Sequence, residues 1–271
     1  MIGETSAKSS DAIMNAGAKA SSAMNSGKKS TLKKETGISS AAETVTPAPE
    51  CRFRVWYRKT GNAVYMSHLD SMNALIRALR RSGLPYLVTQ GCHPRPRCSF
   101  GPALSLGHAG AGEVMDLWLT GPIQASVVRE RLSPQMPYGM PLIKVETLSE
   151  HAKAIVSEAP MQYRLRFCAG APTEAALKLV DIFFGDPERV IVVHRADGTK
   201  RQSIAGAVRS WRHEVNGGGD DIGTSSLIMD FARAGNGIPS PSKIIAALVE
   251  FLGPERDTVV EVERIAILKM E

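Results

Sequence analysis

"RFRVWYRKTGNAVYMSHLDSMNALIRALRRSG", residues 52–83, changes its period part-way along, and that change decides the fold class. Over 52–59 apolar and basic residues alternate at period two, the pattern of a strand with one face in a core and the other in water. From Ser67 the period lengthens. Ser67-His68-Leu69-Asp70 has the form of a capping box, in which the serine hydroxyl accepts an N–H of the first turn and Asp70 reaches back. Met72, Leu75, Ile76 and Leu79 follow at helical spacing as a core stripe that ends at Gly83. A half-buried strand leading into an amphipathic helix calls for a sheet with helices on one face.

The flanking sequence extends that unit. "PYLVTQ" (85–90) reads as a short strand, "EVMDLWLTGP" (113–122) as a third and "PLIKVETLS" (141–149) as a closing strand. "QASVVRERLSPQMP" between them is a helix stopped by Pro134 and Pro137. After a polar linker at 150–159 the order recurs. "MQYRLRFCAG" is a strand and "PTEAALKLVDIFFG" a helix, while "RVIVVHRADGTKRQSI" is a hairpin turning at Asp197-Gly198. "TSSLIMDFARA", "SPSKIIAALVEFLG" and "TVVEVERIAILK" supply strand, helix and strand. The prediction is an α+β protein with two tandem ferredoxin-like (βαββαβ) domains, residues 51–150 and 160–271. Residues 1–50, rich in Ala, Ser and Lys and without an aromatic residue, bury too little apolar surface to fold and are expected to form a disordered tail.

Composition narrows the function. No apolar run reaches the ~18 residues that span a bilayer, no secretory pattern opens the chain, and the four cysteines include no CxxC pair. A reduced, cytoplasmic location is expected, with no membrane partner. The net charge of +6 is unevenly spread: residues 52–101 hold nine arginines and lysines against one acid, Asp70. Such concentration is the footprint of an anionic partner.

Within that block lies "GCHPRPRCSFG", residues 91–101. A zinc site would draw on Cys92, His93 and Cys98, but the thiols are six apart and lack a second close pair, so no metal is assigned. A catalytic reading starts from His68, with His93 and the arginines nearby, as the base of a metal-independent ribonuclease. A polar, exposed first helical residue explains His68 equally well, and it stays a weak candidate. A phosphate cradle uses every unusual residue. Gly91 and Gly101 allow close backbone approach, while Pro94 and Pro96 set the loop in advance. Arg95 and Arg97, two apart in an extended segment, point the same way. Guanidinium forks match phosphate oxygens. Arg77, Arg80 and Arg81 lie opposite the helix's apolar stripe and are expected to join the loop, with His93 and Ser99, in one groove. No nucleotide fingerprint is present, and no cofactor is assigned.

"YMSHLDSMNALIRALRRSGLPYLVTQGCHPRPRCSFGPALSLG", residues 65–107, resembles the signature of the radical SAM-linked protein family, bacterial domains of unknown function. The shared features are the Ser-His-Leu-Asp run, the arginine-bearing helix and the Pro-Arg-Pro-Arg-x-Ser-Phe-Gly turn. Cys92-His93 stands where the family usually has Phe-Asn. The resemblance implies association with a radical SAM protein in an RNA-processing setting, and no established activity. The expected function is therefore an RNA-binding accessory protein, non-catalytic, acting with a radical SAM enzyme or RNA-processing machinery. The alternatives are a metal-independent endoribonuclease and a protein adaptor that docks a radical SAM partner.

Overall fold

The computed structural model describes residues 49–153, 155, 159–168, 171–195, 198–215, 225–232 and 237–267. The expected tail, apart from its last two residues, the Asp197 end of the hairpin turn and the loop at 216–223 lie outside the described residues.

The first half contains β1 (Glu50–Lys59), α1 (His68–Arg81), β2 (Cys98–Phe100), β3 (Ala109–Thr120), α2 (Ala125–Leu132) and β4 (Leu142–Leu148). The second contains β5 (Met161–Phe167), α3 (Glu174–Gly185), β6 (Val190–Arg195), β7 (Gly198–Ser203), β8 (Val208–Val215), β9 (Ser225–Phe231), α4 (Pro241–Phe251) and β10 (Val259–Ile267). The fold is α+β, built on one large mixed sheet in the order β4-β1-β3-β10-β5-β9-β8, with β2 also paired to β3. Neighbours are antiparallel except at the seam, where β10 runs parallel to β3 through just two residue pairs, Glu263–Ala109 and Arg264–Gly110.

Strand alternation assigns the two faces. Phe53, Val55 and Tyr57 of β1 and Met115, Leu117 and Leu119 of β3 form a core with Leu75, Ala78 and Leu79 of α1 and Val128 and Leu132 of α2. Tyr163, Leu165 and Phe167 of β5 and Leu227, Met229 and Phe231 of β9 do the same with Val180 and Phe183 of α3 and Ile244 and Leu248 of α4. Among the described residues, α1 to α4 thus cover one face. Arg52, Arg54, Trp118, Arg164 and Arg166 point to the other.

Three expectations need correction. The helical stripe is rotated: Ser71, Ala74, Leu75, Ala78 and Leu79 are buried, whereas Met72 and Ile76 sit half-buried on the flank. Small alanines let the helix approach the sheet, so they take the centre of the contact. "PYLVTQ" is not a strand. Only isolated bridges form there, Tyr86–Leu119 and Val88–Pro96, and the edge of β3 pairs instead with Cys98–Phe100. Pro85, Pro94 and Pro96 bring no N–H groups, so no continuous ladder can form before Cys98. Finally, the β6–β7 hairpin is a separate two-stranded sheet, and β8, which has no clear strand period in the sequence, takes the edge place beside β9. "VRSWRHEV" carries its few apolar residues at irregular spacing, as an edge strand can.

Candidate nucleic-acid interface

The start of α1 is fixed as its sequence implies. Ser67 caps the helix, its hydroxyl oxygen accepting from the Asp70 N–H at 3.1 Å and its hydroxyl donating to the Asp70 carboxylate at 2.6 Å. His68 is the first helical residue and is half-buried. Along the outward side, Arg77 and Arg80 are exposed and make no hydrogen bond or ion pair among the described residues. Arg81 is engaged. Its Nη2 donates to the Gln135 carbonyl at 2.8 Å and its Nε to the Gln135 side-chain oxygen at 3.2 Å.

The Pro-Arg loop is a narrow excursion from the edge of β3. The Thr89 N–H donates to the Arg95 carbonyl at 2.8 Å, and the Arg97 N–H to the Leu87 carbonyl at 2.7 Å. Its tip, with Gly91 (φ +137°), Cys92, His93 and Pro94, is exposed. On the return, Arg95 is exposed, Pro96 buried and Arg97 exposed. Arg97 pairs with Glu50 at 3.1 Å and lies 4.9 Å from the centre of the Trp118 ring. Ser99 stands opposite Asp116, and Gly101 fits against Val114, where a Cβ would come within 3.1 Å of the valine. Cys98 and Phe100 turn to the core, where burial pushes the Cys98 thiol up to about 12. Cys92 and Cys98 therefore do not face a common point.

Arg97 and the arginines of α1 do not lie on the same face of the sheet. Both leave from the same end of β3, where the Thr120 N–H donates to the Pro85 carbonyl and the Trp118 N–H to the Arg97 carbonyl. Arg77 and Arg80 then lie outside the helix layer, while Arg97 lies over the helix-free face with Trp118. Odd and even residues of β3 point to opposite faces, and the sequence gives no sign of which face each basic segment adopts.

On the helix-free face, carboxylates occupy the arginines. Asp116, fully buried, accepts from Arg52 Nη2 at 2.5 Å and from Arg54 Nε at 2.7 Å and Nη2 at 2.9 Å. The Asp116 hydrogen bonds raise the pKa of Arg54 despite partial burial. The two guanidiniums also reach the carbonyls of Ala152 and Lys153, both at 3.0 Å. In the second half, Glu263 accepts from Arg164 at 3.1 Å and lies 3.4 Å from Arg166. Arg212 pairs with Glu214 at 2.8 Å.

Where the two half-sheets meet, the structure assembles a buried polar centre that sequence reasoning missed. Arg264, 1% exposed, donates through Nε to Glu113 Oε1 at 2.8 Å and through Nη2 to Glu113 Oε2. It also reaches the carbonyls of Pro102 at 2.8 Å and Ala103 at 3.2 Å. Burial opposes its charge, but the Glu113 carboxylate outweighs that and raises its pKa. Gly110 lies between Lys59 and Arg264 in register. A Cβ there would come within 2.6 Å of the Glu113 carboxylate, so glycine is what lets the pair close.

Lys59, also buried, donates to the Met66 carbonyl at 2.7 Å. Desolvation lowers its pKa, as does Arg264, against the opposing pull of Glu113. His68 and His108 border this centre. Burial and then the Arg264 charge lower both, His108 to about 4, so both imidazoles are neutral near pH 7. His108 stands edge-on to Tyr163 at 6.2 Å, and its Nδ1 has no partner among the described residues. A scatter of perturbed groups at a junction is how functional centres often look. Here the strongest interactions are cross-links: Arg264 ties β10 to β3 and to the loop after β2, and Lys59 pins the entry to α1.

The model of a family of uncharacterized proteins conserved in bacteria (DUF2344) matches residues 52–237. The chain belongs to this family. The matched region runs from β1 to the approach of α4, and so takes in Lys59, His68, the Pro-Arg loop and Glu113 but stops before Arg264. No curated protein matches the chain. Among solved structures, the crystal structure of an unknown protein from Galdieria sulphuraria aligns over 80% of this chain and all of its own, with 12% identity and a TM-score of 0.23, too low to bear on the fold.

Proposed function

We propose that the protein is an RNA-binding accessory protein that grips the phosphate backbone at the outer side of α1 and at Arg95 of the Pro-Arg loop. One contrast carries the reading. Arg77, Arg80 and Arg95 are exposed and have no carboxylate among the described residues, whereas Arg52, Arg54, Arg97, Arg164, Arg166 and Arg212 are each held by one. Free guanidiniums release counterions when a polyanion binds; paired ones must first give up their partners. Arg97, named with the cradle from the sequence, belongs to the paired class and contributes less.

We further read each half of the sheet as a ferredoxin-like unit. The orders β4-β1-β3-β2 and β10-β5-β9-β8 are the same permutation of first to fourth strand, with β6–β7 as an insertion. A radical SAM protein is the partner that the signature at 65–107 implies. In that arrangement the basic surface presents RNA to it, and no reaction is assigned to this chain.

The test is filter binding of the full chain to RNA across a salt series. Arg77→Ala, Arg80→Ala and Arg95→Ala together should weaken binding and reduce the salt slope by roughly 0.7 to 0.9 for each phosphate no longer neutralised. An unchanged slope in the triple variant rejects the proposal. A protein-adaptor role would show instead as a complex that survives nuclease treatment and dissociates in high salt.

A further inference from the structure

We infer that the RNA taken by this surface is single-stranded and runs along the outward stripe of α1, with Tyr65 as the stacking platform for an unpaired base. This rests on the RNA reading above and adds the strand type and its path. Three large apolar side chains are strongly exposed around the start of α1: Tyr65 at 72%, Leu69 at 63% and Leu106 at 64%. They belong to one neighbourhood. Tyr65 ends the short 3-10 turn Gly61–Tyr65 just before the helix, and Leu69 is in the helix's first turn. The Gly107 N–H donates to the Val64 carbonyl at 2.9 Å, bringing the Leu106 loop beside that turn.

From Leu69 the same side of the helix continues through Asn73 to Arg77 and Arg80, by i, i+4, i+8 and i+11 spacing. The strip is therefore apolar and aromatic at its N-terminal end and cationic at the other, with about 16 Å between Leu69 and Arg80 along the axis. Asp70, the one acid on α1, is engaged with Ser67. That charge pattern complements a strand offering both phosphates and bare base faces. Duplex RNA stacks its bases internally and offers nothing to Tyr65.

The platform is also held in place. Lys59 fixes the Met66 carbonyl from below, and Arg264 fixes Pro102 and Ala103 at the base of the Leu106 loop. An aromatic set on fixed backbone sacrifices little freedom when a base stacks on it.

Binding of the full chain to a short oligouridylate and to an RNA duplex of equal length, each at several salt concentrations, tests this. Tyr65→Ala is expected to lower single-strand affinity about ten-fold with the salt slope unchanged, the scale of a single base–aromatic stack. Tyr65→Phe is expected to retain affinity, and duplex binding to be weak and insensitive to both changes. Wild-type affinity for single strands in Tyr65→Ala, with weakened binding still seen in Arg77→Ala/Arg80→Ala, would overturn the single-strand path while leaving the basic surface standing. Failure of the wild-type chain to bind either RNA would overturn both. Because Tyr65 is exposed, its variants fold, and unchanged circular dichroism checks this.

Discussion

Arg54 and Arg80 lie in the same basic block of sequence, yet their circumstances differ completely. Arg54 shares the buried Asp116 with Arg52 and touches a carbonyl of the following linker, whereas Arg80 extends from α1 with no partner among the described residues. The first is committed to structure and the second is available to a ligand. Local positive charge in the sequence is thus two populations, and the proposed polyanion would meet only the unpaired one. Buried and half-buried ion pairs add little net stability but are costly to break from one side.

Among the paired arginines, Arg264 at the seam has the most to lose. Glu113→Gln strands the guanidinium of Arg264 in a site 1% exposed, and unfolding in urea should show a loss of about 3–5 kcal/mol. Replacing Arg264 by Met as well should recover part of it. A loss below about 1 kcal/mol in the single variant would mean that the carbonyls of Pro102 and Ala103 suffice. Asp116→Asn comes next, since Arg52 and Arg54 keep some solvent access. It should cost about 2–3 kcal/mol in the same measurement, on the scale of hydrogen bonds to charged groups.

A pH titration of stability probes the neutral histidine beside the seam. The folded pKa of His108 is about 4 against an ordinary 6.5, so the unfolded chain binds the proton more readily. The stability this group contributes is complete above pH 6.5 and is lost as the pH falls from 6.5 toward 4, where a charged imidazole would face Lys59 and Arg264. His108→Gln should flatten thermal stability across that window, and an unaltered profile would mean that His108 is not kept neutral by its burial. Smaller again is Arg97→Ala. Its pair with Glu50 is half-exposed at both ends, so a loss under about 1 kcal/mol is expected. Smallest is Arg77→Ala/Arg80→Ala, which should leave stability within about 0.5 kcal/mol while lowering RNA affinity. A clear drop in melting temperature for that variant would move these arginines into the structural class.

What the sequence disclosed follows the range of the forces involved. The capping box at Ser67–Asp70, the outward side of α1 and the switch from strand to helix are local. Each depends on residues within four positions of one another; the cap and the switch stand in the structure as read, and Arg77 and Arg80 are outward although the buried stripe is rotated and Arg81 is held by Gln135. The exchange of "PYLVTQ" for Cys98–Phe100 depended on which segment found a free edge on β3, a choice made between segments. "VRSWRHEV" became a strand because β9 offered an edge, with little periodicity of its own. The exposure of Tyr65, an aromatic inside the basic block, was not legible in the sequence.

The chain's own residues determined an α+β architecture and a basic first half, because period and composition are written along the chain. Which arginines remained free was settled only in three dimensions. Asp116 lies more than sixty positions from Arg54, and Glu113 lies about 150 from Arg264. A carboxylate neutralises a cation according to distance through space, and sheet register, not sequence separation, sets that distance.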